Sequence, residues 1–322
     1  MLQKPSLVRR LHTAMTIELS TLPTYLYTAW TLRNNSAPAR QAMRLIASVA
    51  YEEMLHMALV ANVTRALGHK TAINDPEFVP DFSQPLNLPG HSNRVNEFRV
   101  VLRPFGADAI QTFLDIELPR QDARRTVKGW STIGEFYDEL KRMLPVRDGA
   151  YTPDSQLPKR DNPGGGVLFR VASHADAVAA IDQIQQQGEG STQADDDGDH
   201  ELAHYYKFLQ VQTLLTTGQI DLARDVWPVV DDPHGHLGAY TKAQLAANLA
   251  FNSAYSALLD ALQDTVCSAS PGVYGASTQA MEALPHLAAV LRAQGPIPGT
   301  DRLAGPTFAY VAAADRPNGA LS

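Results

Sequence analysis

The sequence predicts an all-α protein: a four-helix bundle with additional helices and irregular, proline-rich insertions. The first observation is a set of long segments in which apolar residues recur every three or four positions, at 7–33, 39–67 and 242–265. That spacing places apolar side chains on one face of a helix. The second is a repeated Glu-x-x-His element, at Glu53–His56 and Glu201–His204. Glutamates and such elements on facing helices are typical of metal-binding bundles.

The first two long segments predict two antiparallel helices joined by a short loop. Pro23 lies inside the first helix, where a missing N–H should bend it or weaken one hydrogen bond. Gly68 follows the second helix at the position that favours a C-terminal cap. The hairpin should bring Glu18 and Glu53 level with each other.

The middle of the chain is less regular. Prolines and turn residues dominate 71–103, which indicates an ordered but irregular excursion. Shorter helices are expected over 107–118 and 132–143, the second with Glu135 as capping-box partner. In 145–173 a glycine-rich turn at 162–166 lacks the Gly-Lys-Ser/Thr of a phosphate loop and leads into a short extended segment.

Further helices are expected later in the chain. Ser173 should cap a helix that runs to about Gln187. A polar loop then leads to the helix that carries Glu201 and His204, and later helices are predicted over 242–265 and 277–292. We expect a bundle over 1–230 with an insertion at about 70–170, and C-terminal helices and a tail over 231–322 that pack on the same domain.

Composition excludes several classes of function. The 322 residues carry a formal net charge of −7 and a pI near 5.8, so no basic surface for nucleic acid is indicated. One cysteine, Cys267, rules out an internal disulfide framework and a cysteine-built zinc site. The N-terminus lacks the pattern of a signal peptide, and no run of eighteen apolar residues occurs. We therefore expect a cytoplasmic protein that makes no membrane contact.

The repeated element indicates a carboxylate-bridged centre of two metal ions. Such a centre takes a glutamate from each of two helices and a Glu-x-x-His from each of two others. Bridging carboxylates hold two hard divalent ions close together, while each imidazole binds one of them. Glu18 serves the first helix, Glu53 and His56 the second, and Glu201 and His204 a later one.

Two residues compete for the fourth carboxylate. Glu189, flanked by glycines, fits a hairpin partner of Glu201 at the end of the preceding helix, and we favour it. Glu117 is the alternative, and it would have to come from an added helix.

Taken singly, each of these residues has an ordinary structural explanation, because Glu-x-x-His occurs by chance on exposed helix faces. The combination is harder to explain in that way. Glu18 lies within an otherwise apolar run, and a carboxylate buried there alone would cost several kcal/mol. A cation or a proton is therefore implied beside it.

Several motifs together resemble the ferritin-like domain of the iminophenylpyruvate dimer synthases of bisindole biosynthesis. They are Ile17–Tyr25, Glu52–His56, Ile116–Pro119, Thr132–Tyr137, Gln187–Gly190 and Glu201–Phe208. The resemblance spans roughly residues 5 to 230, and segments 227–233 and 305–308 are similar to stand-alone members of that group. The synthases are far longer, and the likeness covers their ferritin-like portion alone.

The resemblance implies an iron-dependent helical fold and, in the large enzymes, oxidative coupling of two imino acids. For this chain it favours an oxidoreductase that uses two iron ions, with manganese or a mixed pair as alternatives, on a small organic substrate. Tyr25, Tyr27, Tyr205 and Tyr206 are close enough in sequence to line the pocket, although core packing is the simpler interpretation. A metal-storage protein, which would need a cage of many subunits, and a non-catalytic structural module remain as alternatives. The expected partners are a small-molecule substrate and a second copy of the chain in a homodimer.

Overall fold

The computed structural model describes residues 6–83, 100–119, 132–147, 149–189, 202–268 and 271–317, without the side chains of residues 189 and 271–279. The helices are α1 (Leu7–Thr31), α2 (Ala37–Ala66), α3 (Ala107–Ile116), α4 (Ile133–Met143), α5 (His174–Glu189), α6 (His204–Thr216), α7 (Leu222–Asp225), α8 (Lys242–Ser268) and α9 (Pro271–Arg292). Strands β1 (Arg160–Asp161) and β2 (Val167–Leu168) form an antiparallel ribbon. The predicted all-α class is confirmed.

Helices α1 and α2 form the hairpin on which the site is built. Ser36 caps α2, since its hydroxyl accepts a hydrogen bond from the Ala39 N–H at 3.2 Å. Gly68 follows with φ +77°, in the left-handed region that lets glycine end a helix. α1 continues through Pro23. Both predicted long helices are therefore confirmed to within a few residues at each end.

The short helices and the ribbon surround this hairpin. Thr132 caps α4 by accepting from the Glu135 N–H at 3.2 Å, as the sequence predicted. The glycine-rich turn joins β1 to β2, and the Asn162 N–H donates to the Gly166 carbonyl at 3.0 Å. Gly166 has φ +74°, and a Cβ there would lie 2.7 Å from Gln187 Nε2. The turn therefore rests directly against α5.

The C-terminal part packs on the bundle. Phe251 of α8 and Phe308 of the following segment belong to the same buried apolar cluster as Leu22 of α1. Thr307 is fixed by buried Asn248 and Asn252, whose amides donate to its hydroxyl at 3.1 and 2.8 Å. The predicted division of the chain near residue 230 stays a prediction. Of the helices described, none has the length and apolar character needed to cross a bilayer.

Candidate metal centre

Five acidic and histidine side chains converge in the interior of the bundle. They are Glu18, Glu53, His56, Glu117 and His204, and each is at most 5% exposed. They form two overlapping triads, in each of which the ligand atoms lie within 4.8 Å of one another. The first triad is Glu18, Glu53 and His56, and the second is Glu53, Glu117 and His204. Glu53 is therefore shared between them.

The two carboxylate oxygens of Glu53 face different imidazoles. Its Oε2 lies 3.7 Å from His56 Nδ1, and its Oε1 lies 3.2 Å from His204 Nδ1. Each imidazole also faces an outer carboxylate, with His56 Nδ1 at 3.5 Å from Glu18 Oε2 and His204 Nδ1 at 3.5 Å from Glu117 Oε2. The two rings lie 5.4 Å apart. This is the arrangement of a carboxylate that bridges two ions.

The opposite nitrogen of each imidazole is held from outside the cluster. His56 Nε2 lies 3.0 Å from Gln187 Oε1, and His204 Nε2 lies 2.9 Å from Glu52 Oε2. Because both partner oxygens accept, each Nε2 carries the proton and donates it. When the imidazoles are neutral, this arrangement directs the lone pair of each Nδ1 inward, as in histidines that bind a metal. Lys207 Nζ donates to the other oxygen of Glu52 at 2.5 Å.

Two tyrosines hold the outer carboxylates. The Tyr137 hydroxyl donates to Glu18 Oε1, and the Tyr25 hydroxyl donates to Glu117 Oε1. In both glutamates the second oxygen, Oε2, is the one that faces an imidazole. Each outer carboxylate is thus fixed at one oxygen and directed inward at the other.

Burial and charge displace the pKa values in this cluster. Burial, reinforced by the Glu53 carboxylate, raises the pKa of Glu18 from 4.5 to about 8. Burial opposes charge on His56, but the carboxylates of Glu18 and Glu53 raise its pKa to about 10. Burial likewise raises the pKa of Glu117. Burial acts in the same direction on Glu53, but hydrogen bonds with Glu18 and both histidines lower its pKa well below the ordinary value.

The donor set fits a pair of divalent ions. His204 Nδ1 is buried and has no hydrogen-bond partner within the described part of the chain, although it faces two carboxylates. A cavity of about 20 Å³ lies among the five side chains, which is room for roughly one or two water-sized atoms. Imidazole nitrogen with carboxylate oxygen suits iron or manganese. A bound cation would satisfy the unpaired nitrogen and offset the buried negative charge.

The structure brings together five of the seven residues proposed from the sequence. Glu117 lies in the cluster and follows the end of α3, the added helix that this alternative required. Glu189 is the last residue of α5, and its side chain lies outside the described residues, as does all of Glu201. The preference for Glu189 over Glu117 therefore stays a prediction.

One expectation about His204 needs correction. Glu201 and His204 were expected three residues apart on a single helix, but α6 begins at His204. The preceding Ala203 has ψ 157°, which is far from helical values, so the backbone before His204 does not continue the helical turn. The helix is therefore interrupted at Ala203, while Glu201 itself lies outside the described residues and its place as a ligand stays a prediction.

Sequence reasoning missed the residues that support the ligands. The adjacent Glu52 was quoted without a role, and Lys207 lies three residues after His204, on the same face of α6. Two buried charged residues on different helices are a signal for a pair, but not for which histidine the pair supports. Of the tyrosines considered, Tyr25 lies at the cluster, while Tyr27 donates to the Val230 carbonyl at 2.6 Å. Tyr205 and Tyr206 form an edge-to-face pair with each other.

The fold and the cluster define a helical bundle whose overlapping carboxylate and histidine triads are compatible with metal binding. The sequence model of the ferritin-like family matches residues 11–213. The chain belongs to the ferritin-like family, which confirms the resemblance to that domain stated above.

One protein of similar sequence and one of similar structure can be compared with this chain. Dichlorochromopyrrolate synthase of Lentzea aerocolonigenes is 26% identical over 296 residues, which cover 74% of this chain and 28% of that enzyme. The chain thus spans little more than a quarter of this curated relative. A crystal structure of a ferritin-like protein from Caulobacter vibrioides aligns with TM-score 0.66 and 22% identity, covering 95% of this chain and 97% of that one. The structural likeness supports the fold.

Proposed function

We propose that this centre holds two iron ions and that the protein is an oxidoreductase acting on a small organic molecule. The observation that carries the proposal is the shared carboxylate of Glu53, whose two oxygens face the inward nitrogens of His56 and His204. One ion would take Glu18, Glu53 and His56, and the other would take Glu53, Glu117 and His204. Two iron ions held in this way supply one-electron chemistry with dioxygen or a peroxide.

The protein's own residues fix the positions of the ligands. Gln187 and Glu52 orient the two imidazoles, and Tyr137 and Tyr25 orient the outer carboxylates. Ligands locked by such outer hydrogen bonds keep their geometry, and loss of such a partner typically costs about 10-fold to 100-fold in metal affinity. Apolar side chains of Ile116, Ile133 and Ile184 line the same cavity and keep its walls dry.

The proposed class of substrate is argued from the proteins to which this chain is similar. We propose an amino-acid-derived imine as the first substrate to test, because of the resemblance to the iminophenylpyruvate dimer synthases and the likeness to dichlorochromopyrrolate synthase. Since this chain matches only part of that enzyme, the coupling reaction itself is a weaker expectation than metal binding. A storage protein using the same ligands would instead accumulate iron well beyond two ions per chain.

Metal content tests the proposal directly. We expect about two iron ions per chain after iron-replete expression, and fewer than about half an ion in Glu53→Gln, which keeps the shape but removes the bridging charge. The matched control is Glu77→Gln, an exposed glutamate paired with Arg9 on the surface. The dimetal hypothesis fails if the parent protein holds less than about half an equivalent of any transition metal, or if Glu53→Gln retains the full complement.

Redox activity requires a second measurement. Anaerobic protein loaded with ferrous iron should change its ultraviolet-visible spectrum on exposure to oxygen, and should then consume an imine substrate in repeated turnovers. If the folded protein binds two iron ions but shows no optical change and no turnover, the oxidoreductase proposal is refuted and the protein is a metal-binding module.

A further inference from the structure

A second, larger cavity lies on a different face of the α1–α2 hairpin. It has a volume of about 270 Å³ between that hairpin and helices α8 and α9. We call it the apolar chamber, and its walls include Leu22, Leu26, Trp30, Ala50, Tyr255 and Phe308. A neighbouring cavity of about 340 Å³ shares Tyr51, Met54 and Glu282 with it. The two cavities are therefore adjacent.

The apolar chamber is separate from the metal centre. Leu19 and Met54 line the chamber, while their sequence neighbours Glu18 and Glu53 line the metal centre. Successive residues of an α-helix point about 100° apart around its axis, so the two sets face different sides of the same helices. A molecule in the chamber would therefore lie close to the metal centre without touching its ligands.

One wall of the chamber is held in a strained conformation. Phe308 has φ +51°, which is rare for an aromatic residue, and its side chain is 1% exposed. Asn252 Oδ1 accepts from the Ala309 N–H at 3.2 Å, and Asn248 Oδ1 accepts from the Thr307 N–H at 3.0 Å. These bonds on both sides hold the Phe308 ring against Trp30, with the ring centroids 5.9 Å apart. Strain maintained in this way is characteristic of functional sites.

The chamber contains an unsatisfied polar group. Tyr255 is 3% exposed, and its hydroxyl has no hydrogen-bond partner among the residues that the structure describes. Burial raises the pKa of Tyr255, so the side chain stays a neutral hydroxyl that can donate or accept. Buried polar groups of folded proteins are almost always paired, and a buried one without a partner calls for an explanation. A ligand that reaches Tyr255 would supply the missing partner.

The charge of the walls restricts the ligand further. Among the described residues that line the chamber, Glu282 is the one that carries a charge at neutral pH, and it is exposed at the rim. No described lysine or arginine is present there to pair with an anion. We propose that the apolar chamber binds an uncharged and mainly apolar small molecule that carries one hydroxyl or carbonyl group for Tyr255.

Binding of Nile red, a neutral apolar dye with one carbonyl, tests the chamber in the full-length protein. We expect saturable binding at one site, reduced at least 10-fold by Ala50→Leu, which fills the chamber from α2. The control Ala246→Leu makes the same change at an exposed position of α8 and should leave the affinity unchanged. Circular dichroism checks that both variants are folded. Non-saturable binding, or equal affinity in a folded Ala50→Leu variant, would overturn the proposal.

Tyr255→Phe tests the hydrogen bond without changing the shape of the chamber. If Ala50→Leu does not fold, this second variant still tests whether the chamber binds the ligand as proposed. Displacement of Nile red by 1-octanol should weaken about 3-fold to 10-fold, the worth of one neutral hydrogen bond, while displacement by 1-chlorooctane should not change. An equal effect on both competitors, or none on octanol, would contradict the assigned role of Tyr255. The Glu53→Gln variant should bind the dye normally, so failure here is distinguishable from failure of the metal proposal.

Discussion

The two halves of the candidate metal centre share their inner donors and differ in what holds them from outside. In each half an imidazole faces Glu53 and one outer glutamate that a tyrosine holds. His56 is held by the neutral amide of Gln187, whereas His204 is held by Glu52, which is itself paired with Lys207. An anionic partner makes an imidazole a more electron-rich ligand. The two proposed metal positions are therefore chemically unequal, although their candidate ligands look alike.

The largest effect on stability is expected in the half of the centre where the Glu52–Lys207 pair holds His204. Glu52→Gln removes the anionic half of the buried ion pair with Lys207, which should lower the free energy of unfolding by about 3–5 kcal/mol. Urea unfolding of the metal-free protein measures this. The double variant Glu52→Gln/Lys207→Met should recover most of the loss, and Glu77→Gln at the exposed pair should change stability by less than about 1 kcal/mol. A loss below about 1 kcal/mol in Glu52→Gln would show that the pair is not isolated from water.

The half that contains Glu18 and His56 should make the stability of the metal-free protein depend on pH between pH 6.5 and 8. Both pKa values are raised, to about 8 and about 10 from ordinary values of 4.5 and 6.5. The folded, metal-free protein therefore binds more protons than the unfolded chain between pH 6.5 and 8. Its free energy of unfolding should fall as pH rises through that window, by up to about 1.4 kcal/mol per pH unit for each extra proton.

Urea unfolding at pH 6.5 and pH 8, in the presence of a chelator, measures this slope. Glu18→Gln should reduce it, because one of the two groups no longer titrates. Saturating metal should reverse it, since metal displaces the protons and binds more tightly at higher pH. Stability that rises with pH in the metal-free parent would show that these groups do not hold the extra protons.

The smallest effect on stability is expected in the half of the centre where the neutral amide of Gln187 holds His56. Gln187→Leu removes the acceptor for His56 Nε2 and should cost about 1 kcal/mol. Metal affinity should nevertheless fall about 10-fold to 100-fold, because the imidazole loses its orientation. Competition with a metal-sensitive chelator measures the affinity, with Gln186→Leu as the control at the exposed neighbouring position of α5. Unchanged affinity in Gln187→Leu would mean that packing alone positions His56.

Much of the fold could be predicted because its signals are local. Apolar spacing predicts α1 and α2, and the cap at Thr132 is read from a few neighbouring residues. The candidate ligands Glu18, Glu53 and His56 could also be predicted from the sequence, because a charge within an apolar helical run needs a partner. These predictions required no knowledge of which distant elements meet.

The remainder depends on packing that no local pattern encodes. Nothing in the sequence near Glu117 shows that α3 ends beside the hairpin, so the sequence alone favours Glu189, and that preference stays a prediction. The start of α6 was predicted too early, because the Glu-x-x-His spacing was assumed to be helical. Glu52 was left without a role, since only the position of α6 shows that it meets His204 and Lys207.

The glycine turn between β1 and β2 carries a consequence for sequence variation. A side chain at Gly166 would collide with the amide of Gln187 and with Leu55, at 2.7 and 2.9 Å from its Cβ, and φ +74° would add strain. Displacing that amide would tilt the His56 ring, although the substitution lies in a two-stranded ribbon outside the bundle. A substitution at Gly166 should therefore lower the metal affinity of the proposed centre as well as the stability of the fold. The substitutions that this position tolerates should be those that preserve both properties.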